Sequence, residues 1–153
     1  SARPRIATWY EMRRKDCRGW VVEGREADGR IVVHQVYDSN YWLENQLIFS
    51  YLKGRAIQID RRDSRENLFV GRTILSLDQN GNVQHAELQD SLQRRVQATT
   101  ISLNASGHVD SITITEYSNV TGGELGTSTV SNASEAYGYL VDHFYGYDWF
   151  SRK

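Results

Sequence analysis

Four glycines recur at nearly even spacing, Gly29, Gly54, Gly81 and Gly107, at intervals of 25, 27 and 26 residues. Three of them close the same kind of segment: Glu26-Ala27-Asp28-Gly29, Asp78-Gln79-Asn80-Gly81 and Asn104-Ala105-Ser106-Gly107. An acidic or amide side chain opens a type I turn, and glycine takes the positive-φ position that ends it. Each glycine is followed within three residues by an aliphatic residue, as in Gly81-Asn82-Val83, so a strand restarts at once. The repeat predicts a mainly β fold. It is an antiparallel up-and-down meander barrel of about 8–10 strands with a C-terminal α-helix.

The strands predicted along the chain are 5–14, 19–26, 30–38, 46–53, 55–60, 68–78, 82–90, 96–104 and 108–117. A charged loop spans 61–67 and a Gly/Ser/Thr-rich connection spans 118–126. The helix is expected over 133–146, capped by Asn132 or Ser131, with Glu135 in its first turn. Leu140, Phe144 and Tyr147 share its apolar face, and the helix and aromatic tail occupy about 132–150. One domain covers 1–153, a length that buries a core without staples. Pro4 is the one proline in the chain, so no strand loses a ladder donor to it.

The formal net charge is −1, and 15 of the 18 basic residues are arginine, with Lys15, Lys53 and Lys153 the remainder. Acidic residues are scattered among the arginine clusters, which argues against nucleic acid as a partner. No apolar run is long enough for a membrane span. Cys17 is the one cysteine, which excludes an internal disulfide and leaves the compartment open. His34, His85, His108 and His143 show no metal-ligand spacing and no phosphate-cradling loop occurs, so neither metal nor cofactor is expected.

Superposing the hairpins at their glycines gives candidate faces. One face collects Trp20, Val22, His34 and Val36 in the first hairpin and Arg72 in a later one. It ends in three carboxylates, Asp38, Asp90 and Glu116, each nine residues after a glycine. If this face is interior, Arg72 anchors an anionic group and Trp20, Tyr37, Tyr51 and Tyr117 supply aromatic walls. Arg72 then needs a counter-charge, for which Asp90, Asp38 and Glu116 are the candidates. With His34 and the carboxylates Asp38, Asp90 and Glu116 as acid–base groups, the same cavity can carry chemistry.

The segment Ala7-Thr8-Trp9-Tyr10-Glu11 resembles the first-strand motif of lipocalins, in which Gly-x-Trp-Tyr-Glu opens the barrel. Ala7 stands in place of the glycine. The resemblance implies a calycin-like β-barrel with Trp9 buried at its floor. That group holds ligand carriers, bilin-attaching lyases and small cofactor-free decarboxylases and cyclases. The expected function is binding of a small, largely apolar molecule carrying an anionic group. The alternative is a cofactor-free isomerase, cyclase, lyase or decarboxylase in the same cavity. A homodimer and the localisation stay open.

Overall fold

The computed structural model describes residues 6–63 and 67–144. Ten strands follow in order: β1 (Thr8–Arg13), β2 (Gly19–Arg25), β3 (Ile31–Asp38), β4 (Leu43–Leu52), β5 (Ala56–Asp63), β6 (Phe69–Leu77), β7 (Val83–Gln89), β8 (Arg95–Leu103), β9 (Val109–Tyr117) and β10 (Glu124–Val130). One helix, α1 (Ala133–His143), comes after them. The strands form one antiparallel sheet in sequence order, with β1 and β10 as its edges. The meander with a C-terminal helix is therefore as expected, but the sheet is not closed. Turn residues specify neighbouring strands; closure depends on the first and last strands, about which no turn carries information.

The turns explain the meander. In the turn 78–82, Gly81 N–H donates to the Asp78 carbonyl at 3.1 Å and Asp78 N–H to the Asn82 carbonyl at 2.8 Å. The Asp78 carboxylate accepts from the N–H groups of Asn80 and Asn82, both at 2.9 Å. Gly81 has φ +83 with open space around it, so glycine is favoured there by the backbone alone. Asn104 opens the turn 104–108 in the same way, accepting from Ser106 N–H at 2.9 Å and His108 N–H at 3.0 Å. Two further turns have this hydrogen bonding without glycine: 38–42, with Tyr41 at φ 61, and 90–94, with Gln93 at φ 61.

A one-residue bulge follows most turns. Arg25 pairs with Ile31 but Gly24 pairs with Val33, which leaves Val32 as the extra residue. The hairpins β3–β4, β7–β8, β8–β9 and β9–β10 repeat the pattern, with Glu44, Val96, Asp110 and Leu125 as their extra residues. The bulge shifts every later pair by one and turns each side chain to the opposite face. The predicted face uniting Trp20 and His34 is accordingly corrected: Trp20 lies opposite Tyr37, and His34 lies opposite Glu23.

Three other differences are local. β10 takes over the last three residues of the connection expected at 118–126; its residues are almost all exposed, so it shows no apolar alternation. β5 runs through Asp63, into the segment expected as a loop. Trp9 is 54% exposed, and every residue of its edge strand β1 is exposed, which overturns the floor role implied by the lipocalin resemblance. Tyr147 lies outside the described residues.

By internal contacts the chain divides into two compact units: residues up to Ser50 with Gln58–Arg72, and Tyr51–Ile57 with the residues from Thr73 on. The first buries Ile31, Val33, Leu47, Phe49 and Ile59. In the second, α1 lies against β9 and β10. The Asn132 side chain caps α1, accepting from Glu135 N–H at 3.0 Å. Ala136, Leu140 and Phe144, four residues apart on one face, are fully buried. Tyr139 donates to Gln97 Oε1 at 3.1 Å, so α1 covers the side of β8 that also carries Thr99 and Ile101.

Candidate functional site

The first unit buries a carboxylate. Glu23 is 7% exposed and sits mid-strand in β2, directly opposite Tyr10 on one side and His34 on the other. Leu47 continues this row on β4. Arg25 Nη2 donates to Glu23 Oε2 at 3.0 Å, and the other guanidinium nitrogen reaches the Gly29 carbonyl at 2.9 Å. The Arg25 guanidinium stands 5.9 Å from the centre of the Tyr10 ring. His34 Nδ1 is 3.6 Å from Glu23 Oε1. Burial holds the His34 pKa below its ordinary value, against the opposing pull of the Glu23 charge and hydrogen bond. His34 is therefore a neutral imidazole at pH 7, oriented by a carboxylate and still 17% exposed at its side chain. The arrangement can orient a ligand, accept a proton from it, or hold a hydrogen bond out of water.

The opposite side of β1–β4 is aromatic and polar. Trp20 stacks on Tyr41 with ring centres 5.5 Å apart and planes 13° from parallel. The Arg13 guanidinium lies 5.7 Å from the Trp20 ring centre. Partial desolvation, with the nearby Glu11 charge and a hydrogen bond to it, pushes the Tyr41 phenol above its ordinary pKa. From Trp20 a polar chain crosses the strands. Tyr37 Oη donates to Gln35 Oε1 at 3.0 Å, Gln35 Nε2 to Gln46 Oε1 at 3.3 Å, and Gln46 Nε2 to Asn67 Oδ1 at 3.1 Å.

Most of the other residues singled out in the sequence have local partners of their own. Arg72 binds Asp60 with two donors, at 2.6 and 3.2 Å, and this ion pair and hydrogen bond raise its pKa. Its counter-charge is Asp60, not the expected Asp90, Asp38 or Glu116. Asp38 caps its turn, accepting from Asn40 N–H at 2.8 Å and Trp42 N–H at 3.0 Å. Asp90 does the same for Leu92 and Arg94, and these backbone donors hold its carboxyl below the usual range. Glu116 is exposed opposite Gln97. Tyr51 is half-buried at the end of β4, and Tyr117 carries the Arg95 guanidinium 3.8 Å from its ring centre.

Of the predicted residues, then, Trp20 and Tyr37 meet, and His34 meets a carboxylate that sequence reasoning did not select. In the sequence Glu23 was legible only as an acid mid-strand, two residues after Val21 and two before Arg25. In the second unit, a shallow groove of about 400 Å³ lies between the turns 78–82 and 104–108, bordered by Asp78, Asn82, Asn104 and Ser106. Its acceptors Asp78 Oδ1 and Asn104 Oδ1 already serve their own turns. Among the described residues, no three His, Cys, Asp or Glu side chains are grouped to hold a metal ion. No described helix is long and apolar enough to cross a membrane.

No protein-family model matches the chain, and no curated protein does either. A solved structure, a protein of unknown function from Bacteroides fragilis, is similar to it with a TM-score of 0.59 and 9% identity. The match covers 82% of this chain and 92% of that one. At that identity the likeness concerns the fold alone.

Proposed function

We propose that the protein binds a small, largely apolar molecule whose polar group is received at Glu23 and His34. One observation carries this reading: a mid-strand carboxylate is 7% exposed and shared between Arg25 and His34. Burying a charge costs several kcal/mol even when it is paired, so such a cluster is a weak way to stabilise a sheet. A histidine kept neutral beside it, partly open to solvent, makes the cluster a candidate site. The anionic group first expected in the ligand loses its anchor, because Arg72 is committed to Asp60. A ligand with a neutral hydrogen-bonding group suits a neutral imidazole next to a carboxylate already paired with Arg25. A second reading uses the same atoms: a carboxylate orienting His34 through Nδ1 also prepares it for proton transfer without a cofactor.

The test is fluorescence titration with N-phenyl-1-naphthylamine, a neutral apolar probe, alongside its anionic relative anilinonaphthalene sulfonate. Saturable binding of the neutral probe is expected, with affinity reduced about tenfold by His34→Gln or Glu23→Gln. Equal binding by wild type and both variants, or no saturable binding, removes the proposal.

A further inference from the structure

The turn 38–42 places a bulky aromatic where its counterparts 78–82 and 104–108 place glycine. Tyr41 has φ 61, in the left-handed region that disfavours a large side chain. The backbone hydrogen bonding of this turn matches that of 78–82, so the turn itself does not require a tyrosine here. The strained position presents the ring: Tyr41 is 58% exposed although it stacks on Trp20, and Trp42 beside it is 73% exposed. Glu11 lies next to the phenol.

The amide chain beside Trp20 is equally directed. Each donor runs the same way, from Tyr37 through Gln35 and Gln46 to Asn67, and Arg62 holds the Asn67 carbonyl at 3.0 Å. Consecutive bonds of one polarity fix both glutamine amides in orientation. Each amide uses one of its two N–H groups in the chain, which leaves a second, neutral donor per glutamine. Arg13 and Glu11 supply one charge of each sign. Aromatic rings, oriented neutral amides and a balanced pair of charges suit a molecule that has C–H faces and vicinal hydroxyls. They do not suit a polyanion, and a proline-rich peptide needs an apolar groove instead of an amide row.

We propose that this side of β1–β4 is a saccharide-binding surface. Tyr41 is the ring on which a sugar stacks, and Gln35 and Gln46 are the amides that hold its hydroxyls. The surface is separate from Glu23 and His34, which lie on the opposite side of the same strands, and it does not depend on the ligand proposed there.

Affinity electrophoresis of the full chain tests this, in gels containing mixed-linkage β-glucan, xyloglucan, galactomannan or mucin. Retardation by at least one polysaccharide is expected. Tyr41→Gly should weaken it about tenfold while keeping the melting temperature within about 2 °C, because glycine accepts the backbone that tyrosine strains. Gln46→Met, which keeps the shape but loses the amide, should weaken it about fivefold. Normal mobility in every gel overturns the proposal. So does unchanged retardation of Tyr41→Gly, or saturable binding of a proline-rich peptide at this face in place of any glycan.

Discussion

Two four-residue rows cross four neighbouring strands each, and each has one buried polar residue near its centre. In the first unit the row is Tyr10, Glu23, His34 and Leu47; in the second it is Ala86, Thr99, Ile114 and Ser128. Glu23 is charged and held by Arg25 and His34. Thr99 is fully buried on the side that α1 covers, and its hydroxyl has no hydrogen-bond partner among the described residues. Threonine suits a strand by its branching, and its hydroxyl is a passenger that the core tolerates. A carboxylate has no such excuse. Its burial requires partners in place, and the surrounding residues supply them. Similar burial thus has opposite meanings, and the same substitution at both centres should separate them.

Glu23→Val gives the largest effect. It removes the carboxylate that Arg25 and His34 share, and Arg25 is 34% exposed at its side chain, so part of its charge relaxes into water. A loss of about 1–3 kcal/mol in urea unfolding is expected, below the range for a fully buried broken pair. Replacing the set together, with Glu23→Val, Arg25→Thr and His34→Val, should recover most of that loss. If Glu23→Val alone is neutral, the cluster holds nothing together and the contrast between the rows fails.

The limits of sequence reading follow the same division. The turns at Gly29, Gly81 and Gly107 were legible because an Asx or acidic side chain and a positive-φ glycine lie within a few residues of each other. Tyr41 and Gln93 take the same backbone without glycine, so their turns carried no punctuation. The bulge residues were harder still. Nothing in Val32 marks it as extra, yet it decides whether His34 faces Glu23 or Val22. The helix cap at Asn132 was readable from its own neighbourhood, whereas β10 is held by pairing with β9 and has no apolar period to announce it. Local chemistry wrote the elements; the site depended on register, which local chemistry does not contain.

Thr99→Val is the counterpart with the opposite sign. The exchange removes a buried hydroxyl that has no partner among the described residues and keeps the branched shape that the strand prefers. A gain of about 1 kcal/mol in the same unfolding experiment is expected. A loss of similar size would mean that the hydroxyl is bonded in solution, and the two centres would then be alike.

The smallest effect is on pH dependence, and it belongs to the first row alone. Burial lowers the His34 pKa below 6.5 in the folded chain, more than the Glu23 carboxylate raises it. Below pH 6.5 the unfolded chain therefore binds a proton that the folded chain still refuses. Stability from this group is complete above that pH, falls as the pH drops through it, and levels off once the folded value is passed. His34→Gln removes the titration, so the decline below pH 6.5 should become shallower, as read from urea midpoints at a series of pH values. In Glu23→Val the carboxylate no longer supports the protonated ring, so the His34 pKa should fall further, which NMR titration of its ring protons reports. Parallel pH profiles for wild type and His34→Gln, with an unmoved ring titration in Glu23→Val, would show that carboxylate and imidazole do not act together.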